Sequence, residues 1–231
     1  MENPAWLLDE LTHAGAEHLD AAYAVAYTRK AAFDPAEDIA LLRSLGLGET
    51  STLVDIGAGT GAFVLEAAPF CRRVVAVDIS EAMLDVLRRE AEQQGIENVE
   101  AVRGGFLTYR HEGTPADFVY SRNALHHLPD FWKALALEHI AAILRAKGVL
   151  RLRDLVFSFE PREAEEALER WLANSAPDAG FSREELEEHI REEHSTFSWL
   201  LEPMLERAGF VIQDAWYAES QAYARYICVT R

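Results

Sequence analysis

The chain has 231 residues, 49% of them apolar and 26% charged, the balance of a globular protein with room for one good core and an elaboration. Its 39 acidic residues against 22 basic give a net charge of −17, which repels phosphate backbones, and no Lys/Arg cluster marks a basic groove, so nucleic acid is excluded as an expected partner. Cys71 and Cys228 are too few and too far apart for a disulfide framework or a zinc site, and no run of about 18 apolar residues or basic leader is present, so a cytoplasmic protein with no membrane partner is expected.

Residues 4 to 47 read as helical. Trp6, Leu7, Leu8 and Leu11 suggest a short amphipathic piece that stops at Gly15. Leu19, Tyr23, Ala26, Tyr27 and Lys30 recur at spacings of three and four, which puts two tyrosines and a lysine on or near one face of a second helix. Asp34-Pro35-Ala36-Glu37 then offers an N-cap, a proline at the first helical position and a glutamate three after the cap, so a third helix starts there and ends near Gly46 or Gly48.

From Thr52 the pattern alternates. Thr52 to Ile56 is a β-branched apolar run that predicts a buried strand, and Gly57, Gly59 and Gly61 force a tight turn before a helix. Further strands are expected at Val74 to Ile79, Val99 to Arg103, Asp117 to Tyr120 or Ser121, and Gly148 to Leu155, with Ser80 and Asp130 capping the helices that follow the second and fourth. Strands joined by helical crossovers make a parallel sheet covered on both faces, and ligands bind beyond the carboxyl ends of its strands.

Phe157 to Phe197 carries 12 acidic and only 4 basic residues, yet Ala164, Ala167, Leu168, Trp171 and Leu172 hold a helical stripe and Ser182-x-x-Glu185 is a capping box. This segment is expected to be a solvated helical insertion forming a lid, which divides the chain into an N-terminal helical cap (1–48), a core (49–156 and 197–231) and the insertion (157–196). Phe197 to Ala208 is a helix stopped by Gly209, and Phe210 to Ala218 with Tyr223 to Thr230 are two strands joined by a short turn.

The glycine turn suits an anion, because glycine admits positive φ and lets the backbone approach a ligand at a helix start. Gly57-x-Gly59-x-x-Ala62 with Asp78 about 20 residues on also satisfies the dinucleotide fingerprint. Asp55, two residues before the first glycine, and Gly61 tilt the choice: a carboxylate there repels a pyrophosphate and attracts the ammonium of a bound amino acid.

"VDIGAGTG" at Val54 to Gly61, "VAVDIS" at Val75 to Ser80, "DFVYSRNALHHLPD" at Asp117 to Asp130 and "ILRAKGVLRLRD" at Ile143 to Asp154 together resemble the small-molecule branch of the class I S-adenosylmethionine-dependent methyltransferases. The resemblance covers Glu49 to Asp154 well and the two ends loosely. It implies a Rossmann-like doubly wound seven-stranded sheet in the order 3-2-1-4-5-7-6 with an antiparallel last hairpin, S-adenosylmethionine as cofactor and a small-molecule acceptor. It further implies that Gly57, Ala58, Gly59 and Gly61, with Asp55, hold the methionine part, that Asp78 accepts the ribose hydroxyls, and that Ile79 and Met83 pack on the adenine. Arg122 and Asn123 would line the methionine part, and Tyr27, on a helix folding over the cofactor, would face the sulfonium through cation–π attraction.

One departure stands out. Where the family usually has an acidic or polar residue for the adenine amine, this chain has Gly104-Gly105-Phe106, which leaves that amine to backbone groups at Gly105, with Phe106 stacking. His126 or His127 is the candidate general base, with loop support as the alternative role, and Asp154 beside Arg153 either orients substrate or ends its strand in a salt bridge. Adjacent histidines on a strand or helix face different ways, so no metal is expected, and His189 and His194 read as surface or lid residues. The rival readings are a nicotinamide or flavin oxidoreductase and a non-catalytic binding protein.

Overall fold

A computed structural model of the chain describes residues 4–13, 34–173 and 182–231. Its frame is an eight-stranded sheet built from β1 (Thr52–Ile56), β2 (Arg73–Asp78), β3 (Val99–Arg103), β4 (Ala116–Arg122), β5 (Leu144–Phe157), β6 (Thr196–Phe197), β7 (Phe210–Tyr217) and β8 (Tyr223–Thr230). The order is β3-β2-β1-β4-β5-β8-β7, parallel from β3 through β5, with β8 antiparallel to both β5 and β7. This is the expected doubly wound order; β6, a two-residue strand paired with the end of β5, is an addition.

Both faces of the central strands are covered, and β1 is buried along its whole length. Val54 and Ile56 of β1 enter one core with Leu137 and Ile140 of the helix Asp130–Ile143, while Leu53 enters the other with Leu42 and Phe63. In chain order the α-helices among the described residues are α1 (Ala36–Ser44), α2 (Ala62–Ala67), α3 (Glu81–Gln94), α4 (Asp130–Ile143), α5 (Ala164–Ala173), α6 (Arg183–Glu192) and α7 (Ser198–Arg207). None is long and apolar enough to cross a membrane.

Local signals placed most starts well. Asp34 Oδ1 accepts from Ala36 N (2.9 Å) at the start of α1, Ser80 Oγ from Met83 N (3.2 Å) at α3, and Ser182 with Glu185 closes the capping box of α6. Asp130 does not cap α4. Its carboxylate instead takes Lys133 Nζ (3.0 Å) and Thr196 Oγ1 (3.1 Å), which ties α4 to β6. The amphipathic piece around Trp6 to Leu11 is a single 3-10 turn, Glu10–His13, and the helix expected across Leu19 to Lys30, with Tyr23 and Tyr27, lies outside the described residues.

One buried carboxylate fastens α1 beneath the sheet. Asp38 accepts from Tyr120 Oη (2.8 Å) on β4 and from Arg151 Nε (2.9 Å) and Nη2 (2.7 Å) on β5. The acidic segment after β5 has a small core of its own, where Trp171, Leu172 and Leu186 pack on Leu155 and Ala222.

Candidate active site

At the carboxyl ends of β1, β2 and β4 lies a cavity of about 990 Å³. Among the expected site residues, Asp55, Gly57, Ala58, Gly59, Asp78, Ile79, Met83, Gly105, Phe106, Arg122, Asn123 and His127 all line it. Gly61 stands behind the wall, where φ is +86° and a Cβ would lie 2.7 Å from Leu87 Cγ, so glycine there serves the packing of the loop on α3. Gly57 is tighter still: at φ +81° its Cβ would meet Ala124 Cβ at 2.4 Å, because the turn after β4 crosses directly over the loop.

The loop is wired internally. Gly57 N and Ala58 N both donate to Val77 O (2.9 and 3.0 Å), Gly59 N donates to Asp78 Oδ2 (2.8 Å) and Gly61 N to Ala58 O (3.0 Å). Four glycine-loop donors are thus spent inside the protein, and α2 behind them is only six residues long, so a pyrophosphate would find few N–H groups and a weak helix dipole. It would also find two carboxylates. Asp55 is buried, and burial followed by the nearby Asp78 pushes its carboxyl well above the usual range, with Arg122 pulling the other way.

An acid and a guanidinium at one end of the cavity suit a ligand that carries an ammonium and a carboxylate. Among the described residues, the buried Asn123 Oδ1 has no hydrogen-bond partner, and Asn123 is held at φ +51° with its N–H on Arg153 O (2.9 Å), so a second acceptor waits there for a cationic donor. Asp78 accepts from Gly59 N on one oxygen and from Ser80 N on the other (both 2.8 Å), which fixes its carboxylate at the cavity wall. An amino-acid zwitterion on a ribose fits these groups, and a dinucleotide does not.

The gap left by Gly104-Gly105 is filled from elsewhere in the chain. Glu10, in the 3-10 turn near the N-terminus, lines the cavity and accepts from Leu107 N (3.1 Å) and Thr108 Oγ1 (3.1 Å). A Cβ on Gly105 would sit 2.3 Å from Glu10 Oε1, so the glycine is what admits this carboxylate. Burial raises the Glu10 carboxyl, and the hydrogen bonds from Leu107 and Thr108 restrain the rise. A contact between residues 97 apart leaves no local pattern to recognise.

The histidines differ most from expectation. His126 and His127 end a 3-10 turn, Leu125–His127, and both rings approach one carboxylate oxygen: Glu193 Oε2 is 2.8 Å from His126 Nε2 and 3.8 Å from His127 Nδ1. His189, one helical turn before Glu193, places Nδ1 2.6 Å from the same oxygen and takes Ser195 Oγ on Nε2 (2.9 Å), so it belongs to a cluster rather than to the surface. Asp154 turns away from Arg153, pairs with His126 Nδ1 and accepts His126 N on its other oxygen (3.0 Å). Burial opposes a charge on His126, but Asp154 and Glu193 outweigh it and lift the imidazole to about 9; burial likewise raises Glu193, and the hydrogen bonds from His126 and His189 bring it far below the ordinary carboxylate range. Of the expected catalytic group, His127 faces the cavity, while His126 and Asp154 stand behind it.

Such a sheet order, with a glycine loop after β1 and an acid at the end of β2, is that of the class I methyltransferase fold. Residues 53–148, somewhat less than half of the chain, match the sequence model of a family described as a methyltransferase domain. Residues 53–148 thus match a methyltransferase domain, and the fold around them is that of S-adenosylmethionine-dependent methyltransferases of known structure. A curated relative, the uncharacterized methyltransferase YcgJ of Bacillus subtilis, is 28% identical over 129 residues, 55% of this chain and 50% of the relative. The chain thus aligns with about half the length of this relative. In fold it is similar to an S-adenosylmethionine-dependent methyltransferase from Clostridium acetobutylicum (TM-score 0.68, 13% identity, 90% and 98% of the two chains). It is also similar to magnesium protoporphyrin IX methyltransferase of Synechocystis, solved with bound SAH (TM-score 0.59, 15% identity, 85% and 81%).

Proposed function

We propose that the chain transfers the methyl group of S-adenosylmethionine to a small-molecule acceptor held between the Asn123 to Leu128 turn and the acidic helical segment after β5. The observation that carries this reading is the placing of Asp55, Arg122 and Asp78 in one cavity that His127 also lines. Bound there, the cofactor supplies an electrophilic methyl on a sulfonium whose sulfide is already a good leaving group.

The chain's own groups then have limited work to do. Asp55 and Asn123 Oδ1 take the ammonium, Arg122 the carboxylate and Asp78 the ribose hydroxyls, which fixes the direction in which the sulfonium faces. Glu10 takes the adenine amine in place of the acid that Gly104-Gly105 lacks. Trp171 packs edge-on against Tyr223 and His189 (5.9 and 6.2 Å), which fastens α5 to β8 and to the end of α6 beside the histidine turn. Asp154 orients His126. For an oxygen or nitrogen acceptor, the proton passes to Nε2 of His127, the nitrogen not turned toward Glu193.

The test is a thermal-shift titration with S-adenosylmethionine, with its demethylated product and with NAD. Stabilisation by the first two alone is expected, and Asp78→Ala should weaken binding by about 100-fold, since charge-assisted hydrogen bonds to two hydroxyls are lost. Turnover against a panel of acceptors should then fall in His127→Ala with cofactor affinity unchanged. A shift by NAD alone, or full affinity in Asp78→Ala, sinks the reading.

A further inference from the structure

Three imidazoles around one carboxylate oxygen are more than the loop needs for support. His126 Nε2, His127 Nδ1 and a Glu193 oxygen all lie within 4.8 Å of one another, and His189 Nδ1 closes on the same Glu193 oxygen at 2.6 Å. The four come from two separate pieces of chain, the turn after β4 and the end of α6, and all are buried or half-buried. Asp154 binds the far nitrogen of His126, the carboxylate-to-histidine support that fixes ring orientation and raises basicity in metal ligands.

We propose that His126, His127 and Glu193 form a site for one divalent transition-metal ion, zinc foremost, beside the cavity wall, with His189 positioning Glu193. A set of two imidazole nitrogens and one carboxylate oxygen, with a fourth position left for water, suits zinc or cobalt and is poor for calcium or magnesium, which require oxygen ligands. Bonds of about 2.0–2.2 Å put tetrahedral ligands roughly 3.5 Å apart, so the Glu193 oxygen moves off His126 Nε2, now at 2.8 Å, and toward His127 Nδ1, now at 3.8 Å. Coordination exchanges the Nε2 proton of His126 for the cation and releases that proton to solvent.

His127 is shared by the cluster and the cavity wall, so an acceptor heteroatom bound above it is within reach of the ion. As a Lewis acid the ion would lower the acceptor's proton affinity, the part given above to the His127 imidazole. This last step rests on the methyl-transfer reading, whereas the ion site does not.

The experiment uses the full chain, stripped with a chelator and free of S-adenosylmethionine, titrated with zinc by calorimetry and with cobalt by visible absorption. One equivalent should bind, with a tetrahedral cobalt spectrum, and Glu193→Gln and His189→Ala should each weaken binding by at least about tenfold. His13→Ala should not, although the His13 ring lies 5.7 Å from that of His194 and is the obvious adventitious pair. A cooperative thermal melt, run on every sample with and without S-adenosylmethionine, shows that each variant is folded whether or not it binds the cofactor; Glu193→Gln, nearly isosteric, serves if His189→Ala is not folded. Absence of saturable one-equivalent binding, or equal binding by wild type and both cluster variants, overturns the site. A chain that binds zinc as expected but ignores S-adenosylmethionine overturns the methyl-transfer reading and leaves the site standing.

Discussion

Asp55 is where stability and binding pull apart. Its folded carboxyl lies well above the usual value because burial and Asp78 both disfavour the anion, so the unfolded chain loses this proton first. Below about pH 3.9 both states hold the proton, and as pH rises from there toward the folded value stability is lost. Asp55→Asn removes that loss. The ligand-free variant should melt at least about 2 °C higher than wild type at pH 7, with the gain shrinking toward pH 4. Affinity for S-adenosylmethionine should fall at least about tenfold, because the ammonium loses a charged acceptor. Equal gains at both pH values would mean that Asp55 titrates alike in the folded and unfolded chain, and unchanged affinity would remove it from the site. This residue was legible because it stands beside its glycines. Glu10 and Glu193 were not, since what makes them site residues is contact with Leu107 and His126, far off in sequence.

At the scale of elements, α1 shows what a helical pattern leaves out. Asp34 and Pro35 announce its start, but its attachment depends on Asp38, whose partners Tyr120 and Arg151 belong to two strands that a single-chain reading places without side-chain register. Asp38 and Arg151 are both buried, so removing the acid alone strands a guanidinium away from water. Such losses are worth about 3–5 kcal/mol, and at roughly 2–4 °C per kcal/mol for a domain of this size Asp38→Ala should melt roughly 10 °C lower. A circular-dichroism melt at fixed pH checks it, and a drop under about 3 °C would show that the helix is held by its apolar face instead. The same limit explains the histidine pair. Strand or helix geometry separates adjacent side chains, and only the 3-10 turn after β4, invisible to periodicity, lets His126 and His127 meet one oxygen.

For the whole molecule, the alternation of strand and helix patterns gave a parallel sheet covered on both faces, and the order of its strands came with the family resemblance. What that pattern leaves open is whether the two faces of the sheet unfold as one, and the two cysteines are placed to answer. Cys71 packs with Phe63 and Val74 on one face, and Cys228 with Leu150 and Phe210 on the other. Burial pushes Cys71 up to about 11 and, with Glu202 adding to it, Cys228 up to about 12, so neither presents a thiolate at pH 8. An alkylating reagent that consumes a free thiol in minutes should therefore leave both unlabelled in the native chain. Because β1, β4 and β5 contribute side chains to both cores, opening one face removes the support of the other. Under increasing urea the two sites should become labelled at a single midpoint, the one read by circular dichroism. Labelling of Cys71 at a clearly lower urea concentration than Cys228 would instead divide the sheet into two independently opening halves, with β1 and β2 leaving the glycine loop before β5 and β8 release theirs.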